Sequence, residues 1–179
     1  MKYKKIICIF ICITSILVIG CISNNNIEKI DINNIKDNES LILDNIFNVN
    51  YKIENEIDSN YEILFSMESN DNKKENLGTL YIDKESLNNK NNMIISLNID
   101  RGKDKQYKIK MGVSILDKNK IADTSLVTTK LNWKFSQENL SLSDIKVDCD
   151  DYLNKRIPIV SVKDKNKEVY KILIEVVKK

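Results

Sequence analysis

The sequence predicts a mainly β protein, its strands forming an antiparallel two-sheet β-sandwich, with an Ig-like arrangement as one option. Three observations lead there. After Tyr51, apolar and polar residues alternate with a period of two in several stretches, the pattern of strands with one buried and one wet face. The connections between these stretches are short and rich in Asp, Asn, Lys and Gly, as hairpin turns require. No long stretch carries the 3.6-residue apolar period of a helix.

Before the alternation begins, the chain reads differently. Met1-Lys2-Tyr3-Lys4-Lys5 brings three positive charges and no acid, and an apolar run follows from Ile6 to Gly20, broken by Thr14 and Ser15. A charged start, an apolar middle and a small residue before the break make a secretory signal. The stretch Ile6 to Ile22 is at the short end of what spans a bilayer, and the flanking lysines place the chain beyond Cys21 outside the cytoplasm. Val18-Ile19-Gly20-Cys21, with Leu17 before them, resemble the lipobox of prokaryotic lipoproteins. That family takes a branched apolar residue three places before Cys and Gly, Ala or Ser just before it. Val18 and Gly20 meet both demands, with a mild departure at Val18, where Leu is commoner. The resemblance covers residues 1–22. It implies cleavage between Gly20 and Cys21, a diacylglycerol thioether on Cys21, and in many bacteria an acyl group on its new amine. An uncleaved anchor helix and plain secretion are the alternatives. Two or three chains on one cysteine hold a domain durably at a membrane, where a single short chain holds only marginally.

The expected organisation is therefore a signal peptide over 1–20, a lipidated Cys21 with an Asn-rich tether over 21–50, and a sandwich over 51–179. One short helix is expected in the tether, from Glu39 to Phe47 with Asn38 as its cap, and Leu43, Ile46 and Phe47 forming its apolar face. The roughly 130 residues from Tyr51 onward are enough to bury about two-thirds of their unfolded surface as one domain.

Within the domain, YEILFSM sets Tyr61, Ile63, Phe65 and Met67 on one face, and LGTLYID and MIISLNID read as two further strands. QYKIKMGVSIL is the clearest case: Tyr107, Ile109, Met111, Val113 and Ile115 point inward, and Lys108, Lys110, Gly112 and Ser114 outward. LVTTKLNWKF puts Val127, Thr129, Leu131, Trp133 and Phe135 inward, with Lys130, Asn132 and Lys134 outward. IKVDC places Ile145, Val147 and Cys149 together, and VYKILIEVV does the same for Tyr170, Ile172, Ile174 and Val176. Arg101 to Lys105, Asp117 to Lys120 and Asp164 to Lys167 are the turn clusters. IPIVSV holds the sole proline, Pro158. Lacking an N–H for the ladder, Pro158 marks an edge strand or the start of a strand. In all, eight or nine strands are expected.

Charge and composition exclude more than they assign. The 28 basic and 26 acidic residues become nearly balanced once Lys2, Lys4 and Lys5 leave with the signal, so nothing points to nucleic acid. The abundance of Ile, Asn and Lys reads first as the bias of an AT-rich genome. Cys8 and Cys12 also leave, and a lipid on Cys21 leaves Cys149 without a partner for an intramolecular disulfide.

The 179 residues include no histidine, which removes Ser-His-Asp and Cys-His catalysis and His-ligated metals. No Gly-rich nucleotide loop is present, and no cofactor is expected. Ser143 and Lys146 have the SxxK spacing, but a strand points them to opposite faces, so the match reads as coincidence. Asp148, Asp150 and Asp151 offer oxygen ligands for a weak Ca2+ site, against the plainer reading of a solvated strand end. Cys149, among acids and on an apolar face, reads as an inert buried thiol. Arg101, Lys103, Lys105, Lys108 and Lys110, with Tyr107 among them, form a basic stretch suited to an anionic envelope polymer or to lipid headgroups; a solvated hairpin guarded against edge pairing is the plainer reading.

The expected function is a lipid-anchored protein on the extracytoplasmic face of a cell membrane. It would serve as a binding or structural module for an envelope protein or polymer, and not as an enzyme. The alternatives are a solute-binding lipoprotein accessory to a transporter, and a carboxylate-dependent envelope hydrolase built on Asp148, Asp150 and Asp151.

Overall fold

The computed structural model describes residues 27–31, 47–54, 59–87, 92–101, 106–118, 120–133, 135, 139–147 and 152–179. Among the described residues are ten strands: β1 (Ile27–Lys29), β2 (Phe47–Glu54), β3 (Tyr61–Ser69), β4 (Lys74–Ile82), β5 (Asn92–Arg101), β6 (Tyr107–Asp117), β7 (Lys120–Leu131), β8 (Leu140–Asp144), β9 (Arg156–Asp164) and β10 (Lys167–Lys178). One short helix, α1 (Lys84–Leu87), lies between β4 and β5. The strands form two five-stranded antiparallel sheets, in the orders β1-β2-β5-β6-β7 and β4-β3-β10-β9-β8. The chain passes between the sheets three times, so neither sheet is built from one continuous segment. A mainly β, two-sheet sandwich is what the alternation predicts.

The alternation is also what fills the centre. Tyr61, Ile63, Phe65 and Met67 of β3, Met93, Ile95, Leu97 and Ile99 of β5, Tyr107, Ile109, Met111, Val113 and Ile115 of β6, and Ile172, Ile174 and Val176 of β10 all belong to one buried cluster. Each such side chain contributes about 1.5–3 kcal/mol by leaving water. The inward residues of both sheets thus make a single core rather than two.

Both pairs of sheet edges are tied. At one side β2 and β1 lie beside β9 and β8. The Tyr51 hydroxyl donates to the carbonyls of Ile145 and Ile159, each at 3.3 Å, and Lys29 reaches Asp144 at 2.7 Å. Burial, with Asp144 nearby, pushes the Tyr51 hydroxyl well above its ordinary range, so it remains a donor. At the other side β7 lies beside β4. The Thr129 hydroxyl donates to the Leu77 carbonyl, and a Cβ on Gly78 would stand 2.9 Å from Val127 Cγ1. Gly78 therefore lets two strands of different sheets approach.

Several expectations change. The first sheet includes Ile27–Lys29 and Phe47–Asn50, which fall within the stretch expected to be tether. Phe47 opens β2 instead of ending a helix; the rest of that expected helix lies outside the described residues. The strand expected over IKVDC is displaced. Leu140–Asp144 pairs with β9 instead, and Leu140 and Leu142 pack on the core. Ile145 to Val147 leave the ladder after one bond, from Ile145 N to the Ile159 carbonyl at 2.9 Å. Pro158 stands in β9, which is not an edge strand; it is near the strand's start, beside a bulge and ahead of Val160, where pairing with β8 ends. At the β9–β10 turn, Lys165 and Asn166 both take positive φ, 48° and 66°, as a two-residue hairpin with the strands' own twist requires.

The two described glycines give contrasting expectations. Gly78→Val forces a side chain between β4 and β7 and should lower stability by about 1–3 kcal/mol. Gly112→Ala meets only the tip of Leu126, which is 46% exposed and free to swing outward, so its effect should stay within about 0.5 kcal/mol. Denaturant unfolding of the two variants checks both values.

Candidate functional site

Alternation sends Tyr107, Ile109 and Met111 of β6 into the core and leaves Lys108 and Lys110 on the outer face of the first sheet. In β7 the same rule leaves Lys130 outward. The register sets Lys108 directly opposite Lys130, and Lys110 opposite Thr128. Directly opposite residues have Cβ atoms about 5 Å apart and diagonal ones about 7–8 Å, so three ammonium-bearing stems converge on one patch. Like charges directly opposite destabilise a sheet. Asp100 faces Lys108 from β5, but its Oδ1 accepts from the backbone N of Arg101 at 2.6 Å. Among the described residues none of the three lysines is in an ion pair.

The outer face of the second sheet is arranged the opposite way. Arg156 meets Glu175 at 3.1 Å, Lys171 meets Glu168 at 3.3 Å, Lys179 meets Glu62 at 2.6 Å and Lys74 meets Glu68 at 3.9 Å. Each acid there has its base. Lys108, Lys110 and Lys130 of the first sheet have no such ion pair.

The structure therefore redistributes the predicted basic stretch. Arg101 pairs with Tyr107 on the inward side of the strands, and its guanidinium lies 5.4 Å from the Tyr107 ring in a cation–π contact. It does not share the face of Lys108 and Lys110. Lys103 and Lys105 lie outside the described residues. Lys130, remote in sequence, joins the patch through register, which a single-strand pattern does not encode.

A second feature lies at the end of the sandwich where β3 turns into β4. A cleft of about 400 Å³ is lined by Met67, Ser69, Asp71, Lys73, Lys74, Glu75 and Tyr170. Behind it stands an aromatic cluster. Trp133 stacks on Tyr170 with centroids 6.1 Å apart and planes 5° apart, Tyr107 and Phe135 flank it at 5.5 and 5.9 Å, and its Nε1–H donates to Met67 Sδ at 3.4 Å. Asp71 accepts from the Ser69 hydroxyl and pairs with Lys73 at 2.9 Å. Those contacts, the Ser69 hydrogen bond above all, bring its carboxyl down to about 2. Among the described residues every carboxyl displaced from the ordinary range is displaced downward: Glu62, Asp71, Asp144 and Glu168. A glycosidase acid needs the reverse shift. The cleft can hold a ligand by hydrogen bonds and one aromatic wall.

The other predicted positions are placed as follows. Ser143 lies in β8 and Lys146 beyond its end, with no helical turn to bring them together. Gly20, Cys21, Asp148, Cys149, Asp150 and Asp151 lie outside the described residues. Among the described residues no three His, Cys, Asp or Glu side chains stand close enough to hold a metal ion, and no helix is long and apolar enough to cross a membrane. In the sequence Ser69 to Glu75 reads simply as a turn, and Tyr170, which completes the cleft, lies about 100 residues further along the chain. Comparison with protein-family models, with curated proteins and with solved structures finds no match.

The Asp71 shift gives a pH expectation with a definite sign. Its folded value lies below the ordinary 3.8, so its contribution to stability is complete above that value and is lost as pH falls toward 2. Carbon-13 titration of the side-chain carboxyl should show a midpoint near 2, moving upward in Ser69→Ala.

Proposed function

We propose that this chain is a lipid-anchored protein of the extracytoplasmic face of a cell membrane, and that its sandwich works by contact through the outer face of the first sheet. The address is supported by Val18-Ile19-Gly20-Cys21 after a charged and apolar start. The mode of action is supported by one observation: Lys108 and Lys130 stand directly opposite each other and neither is in an ion pair, although Asp100 faces Lys108 from β5. A repulsion kept on a solvent-facing surface is relieved when an anionic partner binds.

Intact mass of the protein extracted from the membrane tests the address. The expected species lacks residues 1–20 and carries a diacylglyceryl group on Cys21. A species that begins at Met1 with an unmodified Cys21 contradicts the proposal.

A further inference from the structure

The cleft at the β3–β4 end of the sandwich is ordered by its own contacts. Tyr170 stands directly opposite Ser69 in the ladder, so strand pairing joins the aromatic wall to the turn. Trp133 stacks on the Tyr170 ring, and Phe135 packs 6.0 Å from it with planes 54° apart. The ring cannot swing without displacing both. The turn is held as firmly. Asn72 N donates to the Ser69 carbonyl at 2.8 Å, and Ser69 N donates to the Lys73 carbonyl at 2.9 Å. Asn72 takes the positive φ of 59° that reverses the chain, a conformation in which asparagine is enriched. Asn70 Nδ2 donates to the Glu168 carbonyl and ties the turn to β10. The Asp71 carboxylate is then fixed from two sides, Oδ1 accepting from the Ser69 hydroxyl and Oδ2 pairing with Lys73. A site ordered in advance loses little freedom when a ligand arrives.

The lining narrows the ligand's chemistry. Asp71 and Glu75 are balanced in the cleft by Lys73 and Lys74. Asp71 already pairs with Lys73, and Lys74 with Glu68. An anion or a cation therefore meets its own sign wherever it finds its opposite, and a zwitterion must compete with pairs already made. A neutral ligand with several hydroxyls meets no such conflict. Each Asp71 oxygen keeps lone-pair capacity beyond its present partner, and each ammonium has three donors. The Tyr170 ring, with Met67 beside it, is suited to an apolar surface. An aromatic face is negative and receives polarised C–H groups. A pyranose ring carries both features, hydroxyls around its rim and C–H groups on a face. The cleft volume of about 400 Å³ lies within the range of small-molecule sites, about 300–1,000 Å³. We infer that this cleft binds a neutral sugar unit of a glycan, a ring face against Tyr170 and hydroxyls donating to the Asp71 carboxylate. The inference goes beyond the contact proposed above and rests on neither the lipid anchor nor the facing lysines, since Lys108 and Lys130 lie on the outer face of the other sheet.

The test uses the full chain in polyoxyethylene detergent micelles, which carry no sugar. It is titrated with maltotriose, cellotriose and chitotriose, with diglycine as the charged comparison. Trp133, the sole tryptophan, stacks on Tyr170, so its fluorescence reads the cleft. At least one trisaccharide should change the emission saturably, with an affinity that added salt leaves unchanged, and diglycine should not. Asp71→Asn, at an exposed side chain, removes a charged acceptor and should weaken binding at least about tenfold. Tyr170→Leu should weaken it as much, with melting followed in parallel because Tyr170 also packs on the core. If Tyr170→Leu fails to fold, Asp71→Asn decides alone. Lys84→Gln, beyond the far end of β4, should leave affinity within about twofold. Three results overturn the inference: no response to any of the three trisaccharides, parental affinity in either folded cleft variant, or diglycine binding that exceeds trisaccharide binding.

Discussion

Burial of the inward-facing residues of two sheets in one shared core is the constraint on which the rest depends. The chain crosses between the sheets after β2, after β4 and after β7. The second sheet is completed only when β10, at the end of the chain, inserts beside β3. Neither sheet can therefore bury its own apolar face before the other is in place. Tyr51 and Gly78 make this arrangement close at its two sides. Tyr51 passes its hydroxyl from the first sheet to two carbonyls of the second, and Gly78 omits the side chain that would hold β4 away from β7.

Much of this architecture can be read in the order of residues. A period of two in QYKIKMGVSIL is enough to say which side chains are buried, and all five of its predicted inward residues are in the core. What a one-dimensional pattern lacks is register. Alternation turns Lys108 and Lys130 both outward, yet nothing in either strand alone says that they are neighbours. Arg101 is close to Lys108 in sequence, but strand geometry turns it to the opposite face and onto Tyr107. The displaced eighth strand has a similar cause. LSLSD alternates as well as IKVDC does, and the choice between them is made by contact of Leu140 and Leu142 with a core that only the folded chain possesses.

The charges divide the two outer faces by purpose. On the second sheet Glu62, Glu168 and Glu175 are matched by Lys179, Lys171 and Arg156. Exposed pairs of this kind contribute little to stability, about 0–1 kcal/mol each, but they leave the face electrically quiet. On the first sheet Lys108, Lys110 and Lys130 are in no ion pair.

A single core predicts a single unfolding event. Native-state hydrogen exchange tests this most directly, by comparing the amides of Ile95 and Val113 in the first sheet with those of Phe65 and Ile172 in the second. If both sheets depend on one core, the slowest amides of each open with the same free energy, equal to that of global unfolding. A first sheet that keeps its protection while the second exchanges at a clearly lower free energy would contradict the account.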